Sequence, residues 1–117
     1  MKRDMDLIRL LLLEVESGER PEAMALYTEP QILYHLELAI EAGLLDGRVI
    51  RGASGDVVGA TIRKLAWEGH EFLDSARDNE LWNQAKKKAV STGGSWTLEG
   101  LKLALFELVR RGVTGDS

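Results

Sequence analysis

One stretch of the chain, residues 44–62, departs from the helical periodicity of the rest and confines β-structure to one small element. Glycines recur in it at short intervals among β-branched residues, a composition that disfavours a helix and favours strands joined by a tight turn. We therefore predict two short strands on either side of a turn at residues 52–56. The β-branched positions are Val49, Ile50, Val57, Val58, Thr61 and Ile62.

The first helix is predicted at residues 4–17. Apolar side chains recur there every three to four residues, from Met5 to Val15, and Gly18 follows the last turn. The apolar stripe is wide, because Leu10 and Leu13 fall outside its main line. A stripe of this width predicts burial on two sides, either between helices of one subunit or partly against another chain.

The second helix has the clearest start signal in the chain. Thr28 and Gln31 have the spacing of a capping box, and Pro30 lies in the first turn, where its missing N–H costs no helical hydrogen bond. Gly43 suits the left-handed residue that follows a helix end, so we predict a helix that ends at Ala42. The residues between the two helices, 18–27, are too few and too broken for a full intervening helix.

The second helix has two predicted faces. The inward face is aliphatic and comprises Ile32, Leu33, Leu36, Ala39 and Ile40. The outward face comprises Gln31, Tyr34, Glu37, Leu38 and Glu41. His35 flanks the apolar stripe, and we predict that it is half-buried and hydrogen-bonded, with a functional role as the alternative.

After the ribbon the pattern returns to helix at about residues 67–77, and Gly69 within it predicts a close backbone crossing. Tryptophans lie at or near the start of each C-terminal helix, at Trp67, Trp82 and Trp96. Aromatic rings in such places usually pack between helices. We predict that role for them, with an interface role for one tryptophan as the alternative.

Two more helices complete the chain. The first runs from residue 78 or 79 to 89, and we interpret its three lysines at 86–88 as a solvated face. The second runs from Ser95 or Thr97 to Arg111, with Ser95 as the favoured N-cap. Residues 112–117 should fray.

This order of elements predicts an α+β, mostly helical chain of the winged-helix type, with a two-stranded wing and a C-terminal helical extension. A chain of 117 residues is long enough for one core but too short for two independent ones. We therefore predict a single domain over residues 1–111. Within it, residues 1–65 form the winged-helix-like core with the wing at about 48–63, and residues 66–111 form the C-terminal helices.

Composition narrows the classes of function. The absence of cysteine excludes a disulfide scaffold, a thiolate nucleophile and cysteine metal sites, and two histidines disfavour an all-histidine site. Every apolar run, including residues 10–13, is far shorter than a membrane span, and the start of the chain lacks the cleavage site of an export signal. We expect a cytoplasmic protein with no membrane partner.

No pattern in the sequence specifies a reaction. His70 and Asp74 lie one helical turn apart, but no third metal ligand follows from the spacing, so we interpret His70 as a surface hydrogen-bond donor. The ribbon glycines lack the spacing of a phosphate-binding loop, and Ser54 lacks that of a nucleophile elbow. We predict no enzyme activity, catalytic residue, metal, cofactor or small-molecule substrate.

The remaining choice is between protein and nucleic acid as the partner. Phosphate binding needs cations, yet the chain has no Lys or Arg between Arg20 and Arg48, and the second helix carries carboxylates instead. Its outward face suits a protein surface better, so we predict a protein partner. That partner could be a second copy of the chain, bound through the first or last helix. The alternative is a DNA-binding regulator that contacts phosphates through the wing residues Arg48, Arg51, Arg63 and Lys64.

Four segments, taken in order, also carry a family resemblance. They are MKRDMDLIR at the start, YTEPQILYHL at 27–36, EAGLL at 41–45 and WEGHEFL at 67–73. Together they resemble a small bacterial and prophage-borne family of uncharacterised domains, itself similar to winged-helix proteins, over roughly residues 1–90. The resemblance implies a fold and a genomic setting, in which a regulatory partner would belong to the host of a phage, and it implies no activity.

Overall fold

The computed structural model describes residues 1–91 and 97–115, and the chain forms two compact units, Met1–Glu71 and Phe72–Ser117. The expected α+β, mostly helical class is confirmed, while a single domain over residues 1–111 stays a prediction. No helix in the described ranges has the length and apolar character needed to cross a bilayer. In chain order the elements are α1 (Met5–Ser17), a 3-10 helix (Glu22–Leu26), α2 (Glu29–Glu41), β1 (Leu45–Arg51), β2 (Val57–Leu65), α3 (Trp67–Ala76), α4 (Asn79–Ser91) and α5 (Leu98–Gly115).

The two ends of α1 are those that the sequence predicts. The Asp4 side chain accepts hydrogen bonds from the backbone N–H groups of Asp6 and Leu7, and Gly18 ends the helix with φ of 78°. These caps satisfy backbone groups that have no partner inside the helix. A wide face of α1 is buried, as its broad apolar stripe predicts, and it includes Met5, Leu7, Ile8, Leu11 and Leu12.

The short segment between α1 and α2 forms a 3-10 helix in place of a full helix. Met24 is buried there, and it joins Leu7, Leu11 and Ile32 in the core of the first unit. Met24 is the one buried residue of the 3-10 helix, so this segment adds little apolar area to the core. The expectation that residues 18–27 cannot form a full helix is confirmed.

Both ends of α2 are also as predicted. Thr28 Oγ1 accepts from the Gln31 N–H at 3.3 Å, and the Gln31 side chain accepts from the Thr28 N–H at 2.8 Å, which completes the capping box. At the other end Gly43 has φ of 76°, and the Leu44 N–H donates to the Ala39 carbonyl at 2.9 Å. This is a Schellman motif, and it buries Leu44 where the chain turns into β1.

The two strands form one antiparallel ribbon, as predicted, and they extend further than expected at the end nearest the helices. Leu45 pairs with Leu65 at this end, and both are buried. At the other end the Gly52 N–H donates to the Asp56 carbonyl at 2.8 Å and closes the turn. Both strands contact α2, and β2 also contacts α1, so the ribbon belongs to the core of the first unit.

The second unit is helical. The Phe72 and Trp82 rings meet edge to face with centroids 5.8 Å apart, and the buried side of α5 contacts α4. The predicted packing role is thus confirmed for Trp82. It is wrong for Trp67, which is 75% exposed, and Trp96 lies outside the described residues. Buried side chains of this unit include Leu73, Ala76, Ala85, Ala89, Leu101, Ala104 and Leu105.

The start of α5 agrees with the Thr97 alternative of the prediction, whereas its end lies further along the chain. Ser95 lies outside the described residues, and the hydroxyl that caps the helix is that of Thr97, which accepts from the Gly100 N–H at 3.0 Å. The predicted end at Arg111 is wrong, because the helix continues to Gly115. Side-chain burial of Leu101 and Leu105 stabilises the first turns, and the helix continues through Gly112, which the prediction places after its end.

Gly69 lies against the backbone at the end of α2, which explains the glycine inside a helix. A methyl group at this position would overlap the carbonyl oxygen of Leu44. The carbonyl also accepts from the Ala66 N–H at 3.0 Å, so it has little freedom to move. The predicted backbone crossing is confirmed, and its partner is the Schellman turn.

We predict that Gly69→Ala destabilises the protein although alanine favours helices. The propensity gain is about 1 kcal/mol, whereas a buried overlap with backbone typically costs more, so we expect the free energy of unfolding to fall by about 2 kcal/mol. Urea denaturation measures this. Gly59→Ala is the matched control, since a methyl group there would lie 3.7 Å from the Ile50 Cδ1 atom. Equal stabilities of the two variants would contradict the crossing.

Candidate binding surface

A buried histidine fixes the orientation of α2. The His35 side chain is 1% exposed. Its Nδ1–H donates to the Gln31 carbonyl at 2.7 Å, and its Nε2 accepts from the Asp4 N–H at 2.8 Å. A carbonyl can only accept and an amide can only donate, so these partners require the neutral tautomer with its proton on Nδ1. The predicted hydrogen bonding is confirmed, and the predicted half-burial is wrong.

The same cluster includes a tyrosine and the cap of α1. The Tyr27 hydroxyl donates to Asp4 Oδ2 at 3.0 Å, while Asp4 Oδ1 accepts from the backbone at the start of α1. Burial raises the pKa of Tyr27 to about 12, and the hydrogen bond and negative charge of Asp4 add to this effect. One aspartate thus joins the start of α1 to the residue before α2 and, through its amide, to His35.

These contacts decide which side of α2 is outward. Ile32, His35 and Ala39 form its buried line, and residues on the opposite side keep access to solvent. Three residues predicted to lie inward, Leu33, Leu36 and Ile40, are half-buried, and Leu36 packs against the core. The buried line of α2 is therefore narrower than the inward face that the sequence predicts.

The five residues predicted for protein binding have different surroundings. The Gln31 side chain is engaged in the capping box, and Glu37 forms an ion pair with Arg51. Tyr34 is half-buried, with its ring edge to face against His35 at 5.3 Å between centroids. Leu38 is half-buried and Glu41 is exposed. Three of the five, Tyr34, Leu38 and Glu41, therefore share an accessible line along α2, and we call these three residues the α2 surface.

The predicted phosphate-binding cations of the wing fall into two pairs. Arg51 is bound to Glu37 of α2 and also donates to the Gly55 carbonyl at 3.0 Å. Arg63 forms an ion pair with Asp46 across the ribbon at 3.3 Å. Arg48 and Lys64 are exposed and have no carboxylate partner among the residues that the structure describes. The structure thus engages two of the four cations with carboxylates of the chain itself.

Sequence reasoning predicted the hydrogen bonding of His35 but not its full burial, and it missed the ion pair of Glu37 with Arg51. His35 follows Ile32 by three residues and precedes Ala39 by four, a spacing that places it on the buried line and that was available in the sequence. The Glu37 and Arg51 pair spans a helix end, a turn and most of a strand. No sequence spacing identifies such a pair, because it depends on how the ribbon folds back toward α2.

The described residues offer no evident chemistry for a metal. His70 and Asp74 are both exposed on α3. Within residues 1–91 and 97–115, no group of three or more His, Asp or Glu side chains is arranged to hold an ion.

Comparison with known proteins places the chain in a family. A family model described as hypothetical protein DUF2513 matches residues 2–95. The chain belongs to the DUF2513 family. A relative from Haemophilus influenzae, described as an uncharacterized protein, is 32% identical over 108 residues, which cover 87% of this chain and 90% of the relative. No solved structure matches the chain.

These findings confirm the coarser part of the family resemblance. The family is described as hypothetical, the bacterial relative of this chain is described as uncharacterized, and the family match covers nearly the range that the four segments predict. The finer parts, a prophage origin and a winged-helix relationship, stay predictions.

Removing the Tyr27 hydroxyl should lower stability and weaken its alkaline pH dependence. The folded-state pKa of about 12 lies above the ordinary value of 10. The contribution is therefore fully present below pH 10 and is lost as the pH rises through 12. We expect Tyr27→Phe to lower the free energy of unfolding near neutral pH by about 1 kcal/mol.

Urea denaturation at a series of alkaline pH values measures this effect. The stability gap between wild type and Tyr27→Phe should narrow as the pH rises, because only the wild type has the contribution to lose. A constant gap for Tyr27→Phe would contradict the buried link to Asp4.

Proposed function

We propose that this chain is a non-enzymatic, winged-helix-type regulatory module that acts in the bacterial cytoplasm by binding another protein through the α2 surface. The observation that carries the proposal is the ion pair between Glu37 and Arg51. It joins a carboxylate of the helix that would read DNA to a cation of the wing that would hold the phosphates. Each group thereby reduces the capacity of the other to serve a nucleic acid.

The order of elements supports the winged-helix part of the proposal. A helix, a short 3-10 helix, a second full helix and a two-stranded ribbon follow one another in the first unit. In winged-helix proteins the third helical element reads the major groove and the ribbon forms the wing. By this correspondence α2 has the position of a recognition helix. The middle element, however, is a single 3-10 segment.

The charge of α2 argues against a groove lined by phosphates. The helix carries Glu29, Glu37 and Glu41 and has no Lys or Arg. Its approach to a duplex would bring these carboxylates toward the phosphate backbone without local cations to offset the repulsion. Arg48 and Lys64 remain as accessible wing cations. Two contacts with phosphates would give only weak electrostatic binding to DNA.

The α2 surface has features that suit a protein partner. Tyrosine is enriched at the centre of protein interfaces because it offers a large, rigid apolar area with one polar end. Tyr34 is partly fixed by its contact with His35, so its ordering on binding would cost little entropy. Glu41 lies at the end of the same line. A partner with an apolar pocket and a neighbouring basic residue would complement this arrangement.

A DNA-binding measurement tests the proposal against its alternative. Fluorescence anisotropy with a pool of random duplexes at about 50 mM salt should give no saturable binding by the wild type in the range of ordinary non-specific affinities, about 1–100 µM. Glu37→Gln releases Arg51 and should bind more tightly than the wild type. Tight wild-type binding that weakens steeply with salt, and that is lost in Arg51→Glu, would establish the DNA-binding alternative.

Site-directed crosslinking tests the protein-binding surface. A photoreactive phenylalanine analogue in place of Tyr34, in bacterial cells, should give one discrete protein adduct, because the residue would contact the partner. Leu38→Asp in the same chain should abolish that adduct, whereas Ala53→Asp in the exposed ribbon turn should retain it. Circular dichroism checks that both variants fold. An adduct unaffected by Leu38→Asp would contradict the assignment of this surface.

A further inference from the structure

The last helix has an apolar face that nothing in the described chain covers. Leu103 and Phe106 are each 66% exposed, while Leu101, Ala104 and Leu105 on the other side of α5 are buried. These two large apolar side chains lie one turn apart, so they form a contiguous exposed patch and differ from apolar residues scattered singly over a surface. This face lies in the second unit, whereas the α2 surface lies in the first.

Charged residues extend this face at both ends. Glu99 precedes Leu103 by four residues, and Arg110 follows Phe106 by four. Spacings of four, three and four place the set on one line of a helix, as at the contact positions of paired helices. The line therefore has the order acid, leucine, phenylalanine, base, and we call these four residues the α5 line.

We propose that the α5 line binds a second copy of this chain, with the two helices antiparallel. A two-fold axis that passes between positions 104 and 105 places Glu99 opposite the partner's Arg110. The same axis places Leu103 opposite the partner's Phe106. Each contact occurs twice by symmetry, so all four residues of each copy have a complementary neighbour.

The charge order specifies the orientation of the pair. In a parallel pair in register, each glutamate would face a glutamate and each arginine an arginine, an arrangement that like-charge repulsion disfavours. In the antiparallel pair, opposite charges flank an apolar centre on both sides. A partner unrelated to this chain would have no reason to match both ends of the α5 line.

The charges of the α5 line remain available for this contact. Glu99 is paired with Lys102 at 3.7 Å, and Arg110 with Glu107 at 3.2 Å, within the same helix. Glu99 is 78% exposed and Arg110 60% exposed at the side chain. Exposed intrahelical pairs of this kind contribute little to stability, so a contact with a second copy can replace or share them at little cost.

Self-association goes beyond the proposed function, because it uses a different helix and requires no other protein. It would place two α2 surfaces in one assembly. The apolar contact is small, so the dimer should be weak, with a dissociation constant on the order of 10–100 µM.

Sedimentation equilibrium on the full chain over a range of concentrations tests the proposal. The wild type should show a reversible monomer–dimer equilibrium. Glu99→Arg and Arg110→Glu should each raise the dissociation constant about tenfold or more, since either change creates two like-charge contacts per dimer. Lys87→Glu, an equal change of charge on the exposed part of α4, is the matched control and should leave the constant unchanged.

An equimolar mixture of the two charge-reversed variants gives the sharpest result. Glu99→Arg carries base at both ends of the α5 line, and Arg110→Glu carries acid at both ends, so the two should associate with each other although neither associates with itself. A monomer at every concentration, or a dimer that the reversals do not affect, would overturn the proposal. Leu38→Asp should leave the equilibrium unchanged, which separates this result from a failure of the α2 surface.

Discussion

The orientation of α2 depends on one buried hydrogen bond between His35 and the backbone at the start of α1. The Asp4 N–H donates to His35, and the Asp4 carboxylate holds Tyr27 and the first turn of α1. Leaving a buried polar group without a partner is unfavourable by about 1–3 kcal/mol, so the paired contacts of this cluster stabilise the first unit. It therefore fixes both the separation of the two helices and the rotation of α2.

That rotation determines the character of the accessible surface. With His35 inward, Tyr34, Leu38 and Glu41 are left on the outer side, and Glu37 is directed to the ribbon where it meets Arg51. The acid that would repel phosphate and the cation that would attract it are thus joined inside one unit. The proposal of a protein partner rests on this arrangement more than on the net charge of −4.

Helix ends and the ribbon could be predicted from sequence because their causes are local. The capping box of Thr28 and Gln31, the left-handed Gly43 and the turn glycine Gly55 all act within a few residues of themselves. The Glu37 and Arg51 pair could not be predicted, because it requires the ribbon to be in place. The prediction for Trp67 is wrong in a different way. An aromatic ring near a helix start usually packs against a neighbouring helix, but the fold leaves this ring exposed.

The most direct test of this account is the tautomer and solvent exchange of the His35 imidazole, measured by nitrogen-detected NMR on the labelled protein. The account predicts a neutral ring with its proton on Nδ1, protected from exchange. The exposed His70 provides the internal reference within the same sample. A ring at His35 that carries its proton on Nε2, or that exchanges as rapidly as His70, would contradict the proposed orientation of α2.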